Sequence, residues 1–195
     1  MARTVGANKA ETHERIVVAA AKAIRRNGYA GTSVGDVMKD AGLTHGGFYA
    51  HFPSREAMLA EALDRAGSDS VEALFGNAAV RAATDAVSPL EAIVESYLSE
   101  RHVAATDSGC TIAGLGSETR RQSPAIKKVA TRRLKEFAKL IERQTAGADH
   151  PPEALAVLSA LVGALVIARI VDEPALGKQV RDAATRMVLG KSKKR

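Results

Sequence analysis

Residues 44–52 read Thr-His-Gly-Gly-Phe-Tyr-Ala-His-Phe. Two histidines, a threonine and a tyrosine surround an adjacent pair of glycines, in a chain with four Phe, three Tyr and no Trp. A glycine inside a helix costs about 1 kcal/mol relative to alanine, so a helix that begins with two of them has another use for a bare surface. Without side chains, Gly46 and Gly47 let the backbone approach another molecule closely. Thr44, His45, Tyr49 and His51 are then free to make contacts around that clearance. Phe48 and Phe52, at i and i+4, can hold the helix from behind. This is the chemistry of recognition. Bond-making chemistry has no comparable constellation: the five histidines, at 13, 45, 51, 102 and 150, form neither His-Glu-x-x-His nor a metal-ligand set with the single cysteine. The sequence has no Gly-x-Ser-x-Gly, and its carboxylates show no paired pattern on an apolar face. No catalytic residue, metal site or cofactor is expected.

The elements that must position the segment follow from the pattern around it. Ile16, Val17, Ala20, Ala21 and Ile24 predict a helix over 10–27, stopped by Gly28. Ser33 followed by Asp36 opens a short helix as the acidic variant of a capping box, with Val34, Val37, Met38 and Ala41 on its apolar face and Gly42 at its end. Leu43 is expected as a buried staple and Thr44 as the cap of the next helix, which ends near Phe52-Pro53. Two short helices joined by Ala41-Gly42-Leu43-Thr44 make a helix-turn-helix, whose second helix enters the major groove of DNA. Ser54 caps a further helix with the stripe Met58, Leu59, Ala62, Leu63 and Ala66. Gly67-Ser68-Asp69-Ser70 and Gly76-Asn77 are expected to bend or end it.

Ser88-Pro89-Leu90-Glu91 combines a cap, Pro at the first helical position and Glu at the third, and leads into Ile93, Val94, Tyr97 and Leu98. Asp107-Ser108-Gly109 breaks the chain before Cys110. Ser123-Pro124 starts a basic helix with the stripe Ile126, Val129, Ala130, Leu134, Phe137 and Ile141. Residues 147–152 read as a loop, and helices near 153–171 and 174–189 close the chain. There is no strand run, repeat or nucleotide-binding glycine pattern. The expected fold is all-α, with roughly nine helices.

A hydrophobic content of 46%, with 26% charged and 4% aromatic residues, suits a soluble helical protein. The net charge is +6, and residues 120–143 hold nine basic against two acidic residues. The tail from Lys191 to Arg195 adds four more basic residues. Such charge suits an anionic partner, or marks the solvated face of a helix. One cysteine excludes an internal disulfide and suggests a reducing setting. The first residues lack the apolar run of a signal peptide, so a cytoplasmic location is expected. Residues 154–171 are almost wholly apolar, with Arg169 their lone charge, at the lower edge of membrane-spanning length. Burial on all sides by protein is the favoured reading, because nothing else in the chain reads as membrane-bound.

Residues 32–59, TSVGDVMKDAGLTHGGFYAHFPSREAML, resemble the DNA-binding signature of the tetracycline-repressor-like (TetR) family of bacterial transcriptional regulators. The likeness includes the upstream helix with Gly28 and covers about the first 65 residues. The family's Phe-Tyr-x-His-Phe run is Phe48-Tyr49-Ala50-His51-Phe52, and Arg55 stands where Lys is more usual; either reaches a phosphate. The resemblance implies a helix-turn-helix head over 1–53 and an effector-binding and dimerisation body over 54–195. It implies a homodimer through 153–189, whose last two helices make a four-helix bundle with their mates, on a roughly palindromic double-stranded operator. A small-molecule effector would change the spacing of the heads, which describes a ligand-responsive regulator, in the first reading a repressor. Thr44, His45, Gly46, Gly47, Tyr49 and His51 would face DNA, and Thr32, Ser33 and Arg55 its phosphates. Arg3 and Lys9 could reach DNA from a loose arm.

Tyr97, Leu134 and Phe137 are candidates to line an apolar effector pocket between helices starting near 88, 110, 123 and 153. Residues 109–118, GCTIAGLGSE, resemble a subset of the family with Gly-Cys at the start of the sixth helix, where a cysteine senses electrophiles or oxidants. A helix N-terminus favours the thiolate, so Cys110 either senses in this way or packs as a small buried hydrophobe. The alternative function is a DNA-binding protein without an effector, constitutive or architectural. A long apolar-lined body argues against it.

Overall fold

The computed structural model describes residues 2–145 and 153–190, with side chains from Asn8 onward. The loop expected at 147–152, apart from its neighbours, and the basic tail lie outside the described residues, as does the side chain of Arg3. Among the described residues there are nine α-helices, one 3-10 helix and no strand. They are α1 (Ala2–Asn27), α2 (Val34–Asp40), the 3-10 helix (His45–Ala50), α3 (Arg55–Asp85), α4 (Pro89–Tyr97), α5 (Glu100–Ala104), α6 (Thr111–Thr119), α7 (Pro124–Thr145), α8 (Ala154–Ile170) and α9 (Pro174–Val188).

Local capping sets several of these boundaries. Gly28 and Gly42 adopt φ of +69° and +70° after α1 and α2, a conformation glycine reaches without strain. The hydroxyls of Ser33, Ser54 and Ser88 accept the backbone N–H groups of Asp36, Ala57 and Glu91 at 3.1, 3.1 and 3.2 Å. Each such cap is worth about 1 kcal/mol. Ser99 caps α5 in the same way, through His102 N–H at 3.2 Å.

Two expectations need correction. First, α3 runs unbroken for 31 residues through both glycine-containing segments. Gly67 gives room for a neighbour: the Arg133 side chain of α7 comes within 3.2 Å of where its Cβ would be. Ser70 lies 2.7 Å from the Ala66 carbonyl and 2.8 Å from that of Gly109, so its hydroxyl is satisfied without breaking the helix. Tertiary contacts override propensity here. Second, α8 is not buried on all sides within one chain. Val157, Leu158, Leu161, Ala164 and Leu165 face the core, but Leu155, Ile167 and Ile170 are exposed, as are Leu176 and Met187 of α9. No helix among the described residues is long and apolar enough to cross a membrane.

The apolar residues form two clusters. The first joins α1, α2 and the 3-10 helix to the first three turns of α3, and it includes Leu115 of α6 and Ile126 of α7. The second unites the rest of α3 with α4 and α6–α9. Thus α3 belongs to both clusters, and α6 touches both.

Candidate nucleic-acid interface and effector cavity

The helix-turn-helix presents its second element as a 3-10 helix, not as an α-helix. Six residues with two glycines and no side-chain cap make a weak α-helix, and short 3-10 pieces are common in such connections. Thr44 occupies the N-cap position but its side chain makes no capping bond. Phe48 and Phe52 are buried and stacked, with centroids 5.6 Å apart. His13 of α1 stacks on Phe52 at 4.4 Å and pairs with Glu61 of α3 at 2.7 Å. Behind this aromatic pile the element is fixed; in front of it Thr44, His45 and Gly46 are exposed, and Tyr49 is 75% exposed. A Cβ at Gly46 would meet no atom within 4 Å, and one at Gly47 would meet only Met38 Cε at 3.7 Å. The bare surface read from the sequence is therefore real.

Other candidates occupy different surroundings. Thr32 is 1% exposed and its hydroxyl donates to the Gly28 carbonyl at 2.8 Å, so its side chain is turned into the head and not toward a phosphate. Ser33 is exposed, and its hydroxyl also donates to the Asp36 carboxylate at 2.6 Å. Arg55 donates from Nε to the Thr32 carbonyl at 3.0 Å and from Nη2 to the Tyr29 carbonyl. It thereby pins the start of α3 to the turn after α1. His51 is half-buried, with its ring 6.2 Å from that of His13. Burial lowers its pKa below the ordinary histidine range, and His13 and Lys9 lower it further. Its Nδ1 has no partner among the described residues.

In the body, Tyr97, Cys110 and Phe137 meet around a small cavity of about 20 Å³ between α3, α4, α5, α6 and α7. That is room for about one water molecule. Leu134 does not line it. At 37% exposed, Leu134 lines a separate groove of about 390 Å³ between α6 and α7. Neither space is lined by α8, contrary to the expectation of a wall starting near 153.

The cavity holds an unanticipated polar cluster. His102 Nδ1 lies 2.6 Å from the Tyr97 carbonyl, and its Nε2 accepts the Cys110 backbone N–H at 3.1 Å. A carbonyl only accepts and an amide N–H only donates, so the proton sits on Nδ1 and the ring is neutral. Burial pushes the pKa of His102 down; the Tyr97 carbonyl opposes this, and Arg169 adds to it. The Tyr97 hydroxyl is buried without a hydrogen-bond partner among the described residues, and burial, with the neighbouring Cys110 thiol, raises its pKa well above the ordinary phenol range. Arg169 of α8 donates to the carbonyls of His102, Val103 and Ala105 at 2.8, 3.1 and 3.1 Å, which satisfies the end of α5. Its lone charge in an apolar helix was the visible signal; nothing local in sequence linked it to His102.

One end of α6 follows the cavity and the other touches the head. Cys110 precedes its first residue. At its far end Glu118 accepts the Tyr29 N–H at 3.0 Å, and the Tyr29 hydroxyl lies 3.1 Å from that of Thr119.

Comparisons with known proteins agree with this architecture. Residues 16–62 match the family model described as bacterial regulatory proteins, tetR family. An uncharacterized HTH-type transcriptional regulator of Mycobacterium tuberculosis, Rv0196, is 32% identical over 171 residues, spanning 80% of this chain and 84% of the relative. A TetR-family transcriptional regulator from Cytophaga hutchinsonii has the same fold, with a TM-score of 0.75 and 20% identity over 96% of this chain and 98% of that one. AibR, solved in complex with isovaleryl coenzyme A and operator DNA, superposes with a TM-score of 0.58 and 16% identity over 91% of this chain and 97% of that one. The relatives are regulators and not enzymes, and this chain belongs to the tetR family of bacterial transcriptional regulators.

Proposed function

We propose that the protein is a ligand-responsive repressor that binds a palindromic operator as a homodimer. The observation that carries this reading is the exposed surface of Thr44, His45, Gly46 and Tyr49, backed by the locked Phe48–Phe52 stack. Thr44, His45 and Tyr49 make the groove contacts around Gly46 and Gly47, and His51 supports them from the end of the element. Ser33 meets phosphate, with Arg55 fixing the backbone beside it. The head, residues 1–53, does the reading; the body, residues 54–195, carries the effector site and the dimer contact. AibR, which shares the fold, was solved with a small molecule and DNA together, and that pairing is consistent with the proposal. Footprinting the DNA upstream of the gene tests it: a protected, roughly palindromic site with half-sites about one helical turn apart is expected, and uniform protection contradicts it. In the same assay Tyr49→Ala is expected to weaken specific binding by about 1–3 kcal/mol, the range for a groove contact. It should leave thermal stability unchanged, because the side chain is so exposed.

Release follows from α6. A ligand that binds the DNA-incompetent arrangement more tightly shifts the population toward it. The cavity around Tyr97, Cys110 and Phe137 has only about 20 Å³, so an adduct of several heavy atoms on Cys110 displaces the first turn of α6. The Glu118–Tyr29 contact at the other end transmits that displacement to the head. A quinone or maleimide is therefore expected to lower DNA affinity for the wild type but not for Cys110→Ser, in a gel-shift titration with and without reagent. If the two respond alike, Cys110 is a packing residue and the effector binds without a covalent bond.

A further inference from the structure

The groove between α6 and α7 has a composition that selects its occupant. Leu63, Ile112, Ala130 and Leu134 give it an apolar lining, and Arg120 and Lys127 add positive charge. No acidic residue lines it. Arg133, a third cation there, is neutralised by Asp64 and by Glu136 at 2.9 Å. Arg120 and Lys127 show no ion pair among the described residues. Its volume of about 390 Å³ falls in the lower part of the range of small-molecule sites. We infer that this groove binds an amphipathic anion: an aliphatic chain along Leu63, Ile112, Ala130 and Leu134, with a terminal carboxylate between Arg120 and Lys127.

Charge complementarity decides among occupants. Arg120 and Lys127 are exposed, so a cationic amphiphile would put its charge beside two like charges, and a neutral one would gain no charge-assisted hydrogen bond from them. Gly116 leaves the site open: a Cβ there would meet no atom within 4 Å. The groove shares Thr111, Ile112 and Arg133 with the small cavity around Cys110, so an occupant bears on the first turn of α6. The inference names the effector class for the body proposed above, and in that respect rests on that reading.

Calorimetric titration of the full-length protein with decanoate, decanol and decylamine tests it. Saturable binding of decanoate at one per chain is expected, with decanol at least tenfold weaker and decylamine not bound. Arg120→Gln with Lys127→Gln should weaken decanoate at least tenfold and leave decanol unchanged. Gly116→Leu, which has space for its side chain and is checked by thermal melting, should abolish binding of both. Absence of decanoate binding overturns the inference, as does equal binding of decanol or an unaltered titration of Gly116→Leu. A parallel gel shift separates the two readings. Binding that leaves DNA affinity unchanged upholds the groove assignment and removes its effector role; release by another compound, with no decanoate binding, overturns the assignment and leaves the regulator reading intact.

Discussion

Replacing Gly46 by leucine is expected to leave the protein folded and reduce its specific DNA affinity by about two to three orders of magnitude. A side chain at this position meets no atom within 4 Å, and the residue does not need a left-handed backbone. Leucine also has the better helix propensity, by up to about 1 kcal/mol, so melting should be unchanged or slightly higher. The damage lies wholly in the contact surface. A leucine projecting from the bare face stops the element short of the groove floor, and the neighbouring contacts are lost together. Specific and non-specific binding typically differ by about 10³ to 10⁷, which leaves ample range for such a loss. Gly47→Leu should act similarly, with its Cβ in ordinary contact with Met38 Cε at 3.7 Å. Circular dichroism melting and anisotropy titration at fixed salt are the paired measurements. A variant with wild-type specific affinity would remove Gly46 from the interface.

The second large effect concerns α8 and α9. Their outer face carries Leu155, Ile167, Leu176, Met187 and Ile170, the last 74% exposed. The spacing of Leu155, Ser159, Gly163, Ile167 and Ile170 draws one stripe along α8. In the dimer we propose, this stripe is covered by its mate. Gly163→Arg is expected to convert the dimer to monomers at micromolar concentration. The side chain has space within the protomer, because a Cβ at Gly163 meets nothing within 4 Å. In the dimer it buries a charge without a partner, which costs about 3–5 kcal/mol, or roughly two to four decades in the dissociation constant. Operator affinity should fall with it, since the two heads are no longer linked. Ala164 is unsuitable for this test: it is 5% exposed within one chain, so Asp or Arg there disrupts the protomer itself. Sedimentation or light scattering reads the outcome. A wild type that is monomeric, or a Gly163→Arg protein that remains dimeric, contradicts the assignment.

Much of the head was legible because its determinants are local. Gly28, Ser33, Gly42 and Ser54 act within four residues of themselves, and the i, i+4 pair of Phe48 and Phe52 predicts its own stack. Thr32 misled because the same residue type suits both a phosphate contact and a bond back to the carbonyl four residues earlier. Its burial, not its identity, decides between them. The continuity of α3 was hidden because Gly67 packs closely against Arg133, far along the chain. Leu134 fits the apolar spacing of α7, yet its side chain lies on the open groove and not in the core; spacing names a face and not what covers it. The cluster of Tyr97, His102, Cys110 and Arg169 draws on α4, α5, the turn before α6, and α8. Residues brought together by four elements leave no pattern in sequence. Cys110 and Tyr97 were singled out separately, but the neutral histidine between them was not.

The central claim is that this chain reads a specific DNA sequence through Gly46 and its neighbours. The most direct test is an anisotropy titration of the wild type at fixed salt, against a duplex from upstream of its gene and against a scrambled duplex of equal length. The account predicts affinity for the upstream duplex at least a thousandfold higher, with two chains bound per site. Equal affinity for the two duplexes would contradict it.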